Sequence, residues 1–145
     1  MRAMADDIRK PERAEIERLV SCFYADVRAD ALLGPVFEPL LHGRWDAHLV
    51  RMTDFWCAAL KIEHGFRGDV HNKHMALAGI TPAHLARWLQ LWRRHTAALM
   101  TPPVAVRLQD VAVGIARVMH LGWFGRLPSR EELLDRLAVV AMAQA

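Results

Sequence analysis

The chain has 145 residues, 53% hydrophobic and 24% charged, with a formal net charge of +3, which is the size of one domain able to bury a core of its own. Five Trp and five Phe exclude a disordered chain, which is poor in such residues, and no apolar run approaches the roughly 20 residues of a membrane span. The basic residues, mostly Arg, are interspersed with acidic ones, and even Arg93-Arg94 reads as a solvated helix face, which argues against a nucleic-acid partner.

Residues 1–10 are polar and aperiodic and lack the charged-then-apolar pattern of a leader, so a flexible start and a cytoplasmic address are expected. Pro11 suits the first turn of a helix. From there Ile16, Leu19, Val20, Phe23, Tyr24 and Val27 repeat at i, i+3, i+4, i+7, i+8 and i+11, one apolar stripe. Cys22 and Cys57 fall in different helical segments, and without a secretory context both are expected as reduced thiols. Between Asp30 and Pro39, the Gly34-Pro35 pair and the second proline predict a short turn or 3₁₀ piece.

A second long helix is predicted from Trp45 to Lys61, with His48, Met52, Phe55 and Ala59 on one face and Trp45 and Trp56 flanking it. Two glycines in His64-Gly65-Phe66-Arg67-Gly68 break the pattern. A short helix follows from Val70 to Ala78, with Gly79 as its left-handed stop. Thr81-Pro82 then opens a third long helix carrying Leu85, Trp88, Leu89, Trp92 and Leu99. Pro102-Pro103 ends it, and a fourth carries Val104, Leu108, Val111, Ile115 and Val118. After Trp123-Phe124-Gly125 and Pro128, a capping box, Ser129-x-x-Glu132, opens an amphipathic stretch with Leu133, Leu134, Leu137, Val140 and Ala141. No segment alternates as a strand does.

An inward His is ordinarily a satisfied core group, and a Trp at helical spacing is ordinarily packing. Their succession here is more specific. Phe23-Tyr24-x-x-Val27-Arg28-x-Asp30 leads to Leu33-Gly34-Pro35-Val36-Phe37, and Trp45-x-x-His48 to Phe55-Trp56. Gly68 and His74 follow, and then Arg87-Trp88-Leu89-x-Leu91. Over residues 12–123 this order and spacing resemble the truncated, two-over-two haemoglobins, most of all their third group. The resemblance implies an all-α, globin-like two-over-two helical sandwich enclosing haem b. Residues 1–10 then form the flexible segment, 11–125 the globin domain, and 126–145 a C-terminal helical extension beyond where these globins finish.

It also implies roles. His74 matches the proximal iron ligand, with its other ring N–H bonded to a carbonyl; the rival candidate His71, one turn earlier, lies more naturally toward the haem edge or solvent. Tyr24 and Trp88 match donors aimed at a gas ligand, while His48 matches a residue of that side, either a gate or a haem-edge group. Arg51 matches a basic position able to pair with a propionate, and Phe23, Phe37, Met52, Phe55 and Trp56 supply apolar walls. His71-x-x-His74 has a spacing that zinc can use, but no third or fourth ligand accompanies it locally. The function implied is reversible binding of O₂, NO and CO at ferrous iron, for NO or redox chemistry or sensing rather than bulk oxygen transport, because donors slow release. Two alternatives stand beside it: a haem enzyme, NO dioxygenase or peroxidase-like, working with a reductase while His48 and Tyr24 move protons, and a cofactor-free helical interaction module. No nucleic acid or membrane partner is expected, and the apolar stripe of the tail leaves monomer and homodimer open.

Overall fold

Helix α1 (Arg13–Ala29) follows from its apolar spacing: Ile16, Leu19, Val20, Phe23, Tyr24 and Val27 all turn inward and are buried. It begins two residues beyond Pro11, where Glu12 takes the N-cap position and its N–H donates to Glu15 Oε1 at 3.3 Å. The computed structural model describes residues 9–143, side chains of 137–143 excepted, so most of the flexible start lies outside the described residues. Among those described, seven helices and no strand form.

Asp30 stops α1 and starts the next turn, its Oδ2 accepting the N–H groups of Leu32 at 3.1 Å and Leu33 at 3.0 Å. The turn or 3₁₀ piece predicted here is instead a full helix, α2 (Gly34–Leu41), with Pro39 inside it. Pro35 sits in the first turn, where its missing N–H costs nothing. Docking on α1 then stabilises what propensity alone would not. That docking needs Gly34, because a Cβ there would lie 2.7 Å from the Arg28 carbonyl oxygen.

Helix α3 (Trp45–Ala59) ends two residues short of the predicted Lys61, and α4 (Val70–Met75) is shorter than the predicted Val70–Ala78. Gly79 does take a left-handed φ of 78°, but beyond the helix end. Helix α5 (Pro82–Leu99) starts where Thr81-Pro82 predicts, and its third-residue cap partner is His84, whose Nδ1 accepts the Thr81 N–H at 3.0 Å. Helix α6 (Pro102–Phe124) stops at Gly125, left-handed at φ 73°.

The predicted stripe of α6 is rotated. Val104 and Leu108 are buried, but Val118 is 50% exposed, and the rest of the buried face is Ala105, Ala112, Val113, Ala116, Met119 and His120. Alanines on this face let α5 approach closely, so the contact is marked by small residues rather than by the bulky ones that define a periodic stripe.

Helix α1 packs on α3 and α5, and α5 packs on α6, so α1 with α3 lies over α5 with α6. The core joins both layers through Trp92, stacked on Trp56 at 4.3 Å and edge-on to Phe23 at 5.0 Å, with its indole N–H on the Leu108 carbonyl at 3.2 Å. Truncating a buried Trp of this kind costs about 3–5 kcal/mol. Cys57 is fully buried and its thiol is pushed up to about 11, chiefly by burial. Helix α7 (Arg130–Ala143) packs on α5 and α6 through buried Leu133, and Ser129 Oγ caps it by accepting the Glu132 N–H at 3.1 Å. The Glu132 carboxylate turns to Arg126 instead of completing the box. The predicted Leu137, Val140 and Ala141 side chains lie outside the described residues. No described helix is long and apolar enough to cross a membrane.

Candidate functional site

Between α2, α3 and α4 the chain leaves a cavity of about 440 Å³, within the roughly 300–1,000 Å³ of small-ligand pockets. His48 and Met52, one turn apart on α3, line it together with Arg51, Phe37 of α2, and Val70, Lys73 and His74 of α4. A separate, smaller cavity of about 30 Å³ is lined by Trp88 of α5 and by Met119 and Trp123 of α6. Phe37 and His74 border both cavities, so His74 stands on their shared wall.

The orientation of His74 has a local cause. Its Nδ1 is 2.6 Å from the carbonyl oxygen of Val70, four residues earlier on the same helix. With Nδ1 donating, the lone pair is on Nε2, the tautomer that can hold a metal. Burial lowers the pKa of His74, against the Val70 carbonyl, which acts to raise it. The ring is therefore neutral at physiological pH.

His48 is pushed down to about 4, first by burial and then by the nearby His74, Arg51 and Lys73. Its Nε2 is buried and has no hydrogen-bond partner among the described residues, as is also true of Trp123 Nε1. Native interiors rarely leave such groups unpaired. Tyr24 lies 6% exposed on α1, edge-on to the His48 ring at 4.9 Å and 83°. Burial raises its pKa, so the phenol keeps its proton. Arg44, Arg51 and Lys73 line the larger cavity without any acidic residue, which makes that wall positive.

Of the residues singled out in the sequence, Phe37, His48, Arg51, Met52 and His74 line the larger cavity, and Trp88 borders the smaller one. Tyr24, predicted on the ligand side, and Phe23, Phe55 and Trp56, predicted as its walls, line neither. Phe23 and Trp56 are 1% and 3% exposed and belong to the core behind it. Phe55 shares the face of His48 but lies seven residues along α3, about 10 Å at 1.5 Å per residue, where it packs on Phe66 at 5.5 Å. Phe66 is the residue that reaches the cavity. His71 is exposed on α4 near Gly122 and borders neither cavity.

Arg44, Phe66, Lys73 and Trp123 escaped the sequence reading. Trp123 had a signal, one turn beyond Met119 on the same helix. The others come from a helix start, a loop and a short helix, where no periodicity points. Among the described residues no three His, Cys, Asp or Glu side chains gather as a metal-binding group.

No protein-family model matches the chain. The "Group 3 truncated hemoglobin ctb" of Campylobacter jejuni is 30% identical over 80 residues, which cover 53% of this chain and 63% of that protein. The match thus spans somewhat less than two-thirds of the relative's length. The crystal structure of group III truncated hemoglobin from Campylobacter jejuni superposes with a TM-score of 0.66 at 23% identity, covering 77% of this chain and 94% of the other. The chain has the truncated-haemoglobin fold, and it resembles group III in sequence and in architecture alike.

Proposed function

We propose that this chain, built on the truncated-globin fold, is a haem b protein that binds O₂, NO and CO reversibly at ferrous iron, with Tyr24, His48 and Trp88 serving the ligand side. The observation that carries the reading is His74. Its Nδ1 is committed to the Val70 carbonyl, its ring is neutral, and its Nε2 remains available on the wall of both cavities. A haem iron needs a histidine fixed in tautomer and orientation in this way. Phe37 and Met52 add apolar surface, and Arg44, Arg51 and Lys73 supply cations suited to propionates.

Haem held there by His74 would supply a redox-active iron able to bind a diatomic ligand. The remaining work falls to the chain. Tyr24 keeps its proton behind the His48 ring and so has an O–H to offer, and the Trp88 indole can only donate. His48, neutral at physiological pH, offers one N–H and one lone pair, so it can donate one hydrogen bond and accept another. Each bond to a charged acceptor contributes about 1.5–3 kcal/mol, or roughly 10- to 150-fold in retention. Slow release of that order favours NO or redox chemistry or sensing over bulk oxygen transport. A second reading, a haem enzyme drawing electrons from a reductase, needs proton carriers that titrate near ambient pH, and burial holds both His48 and Tyr24 away from that range. Steady turnover with a reductant distinguishes that enzyme from a binding protein.

Absorption spectra of the purified chain, ferric, reduced and with CO, test the reading. A Soret band that shifts on reduction and again with CO is expected, with loss or weakening of haem in His74→Ala. No Soret band after haem is supplied would overturn the proposal, and an unchanged spectrum in His74→Ala would move the ligand elsewhere.

A further inference from the structure

Among the described residues, His48 is held by rings rather than by hydrogen bonds. Its imidazole meets the Tyr24 ring edge-on at 4.9 Å and the Trp45 ring at 6.0 Å and 86°. Tyr24 is fixed within α1, edge-on to Phe23 at 4.9 Å. Trp45 is fixed from the other side. Its Nε1–H donates to Glu38 Oε2 of α2 at 3.0 Å, and the Arg28 guanidinium of α1 lies 4.6 Å from its ring centroid. Arg28 and Glu38 also pair with each other at 3.6 Å. Three helices thus converge on one indole that is 6% exposed. Packing alone asks only for apolar contact; a carboxylate on the N–H and a cation over the ring also fix the plane that Trp45 presents to His48.

We propose that Trp45, clamped by Glu38 and Arg28, is a positioning residue that keeps the His48 imidazole turned into the cavity and so sets how fast a diatomic ligand enters. The inference rests on the haem reading above. With its buried Nε2 unpaired, the inward ring has little to oppose rotation toward water, where both nitrogens are hydrated. The contact with Trp45 opposes it. Losing one aromatic edge contact shifts such a balance by roughly 2- to 12-fold.

The test is CO association with the reduced holoprotein after flash photolysis, in Trp45→Leu, Glu38→Ala and Glu38→Gln, each with His48 intact and with His48→Ala. Association is expected to rise about 2- to 12-fold in Trp45→Leu and Glu38→Ala, and to stay near wild type in Glu38→Gln, whose amide oxygen still accepts the indole N–H. With His48→Ala, none of the three should change the rate. The infrared C–O stretch should gain a second band in Trp45→Leu and Glu38→Ala, the signature of an outward His48. If Trp45→Leu does not fold, the two Glu38 variants carry the test, since that side chain is 41% exposed. Wild-type rates in Glu38→Ala, or equal acceleration with and without His48, would overturn the inference. A wild-type chain that forms no CO complex would instead overturn the haem reading beneath it.

Discussion

Asp30 joins the turn between α1 and α2 to α5, and removing it should loosen the cavity from a distance. Its carboxylate accepts the N–H groups of Leu32 and Leu33 and the Nε–H of Arg87, the last at 2.7 Å. The two charged side chains are 8% and 15% exposed. Asp30→Ala leaves two backbone donors and a mostly buried guanidinium without their acceptor. Breaking a buried pair costs about 3–5 kcal/mol, and Arg87, 15% exposed and still bonded to Gln90, is left neither fully buried nor wholly unpaired, which places the cost in the lower part of that range. A loss of about 3–4 kcal/mol follows, which lowers the melting temperature by roughly 6–16 °C at about 2–4 °C per kcal/mol. Asp30→Asn, still able to accept, should lose about half as much.

Leu33 and Phe37 lie just beyond this turn and border the smaller cavity, so haem should be lost faster in proportion. Burial pushes the Asp30 carboxyl up, but the Arg87 and backbone N–H bonds more than offset it and hold it below the ordinary value. With the folded pKa below the unfolded one of about 3.9, the contribution is complete above that pH. It disappears as pH falls through the folded pKa. Thermal melts of wild type, Asp30→Ala, Arg87→Ala and the double variant measure the coupling, expected at about 1–3 kcal/mol. A melting temperature within about 2 °C of wild type in Asp30→Ala, or additive single effects, would refute the argument.

Gly34→Ala should cost about 1–3 kcal/mol, because the added Cβ meets the Arg28 carbonyl oxygen, part of the backbone, at 2.7 Å; unchanged chemical denaturation would mean that α2 can slide. His48 titrates near 4 when folded and near 6.5 when unfolded, so its stability contribution is complete above about pH 6.5 and declines toward pH 4, by at most about 3 kcal/mol. His48→Gln should flatten that slope in denaturation curves measured across the range. Leu133→Ala should cost about 2–4 kcal/mol and leave the haem spectrum alone, since Leu133 is 3% exposed and borders neither cavity. A changed spectrum would tie α7 to the site.

The sequence by itself determined where most helices begin and which stripe α1 buries, because those depend on side chains within a few residues of one another. Thr81-Pro82, Pro102-Pro103 and Gly125 act through their own backbone geometry, and the stripe from Ile16 to Val27 needs only 3.6 residues per turn. Motif order also singled out His74, which the fold sets on the wall of both cavities. Only the tertiary structure decided that two prolines sit within a helix once Gly34 lets it dock on α1. It alone separated Phe23 and Trp56, which face inward but fill the core, from Phe66 and Trp123, which line cavities. Periodicity tells which side of a helix avoids water; whether that side meets another helix or an open space depends on residues far away in the chain, and so appears only when the helices pack.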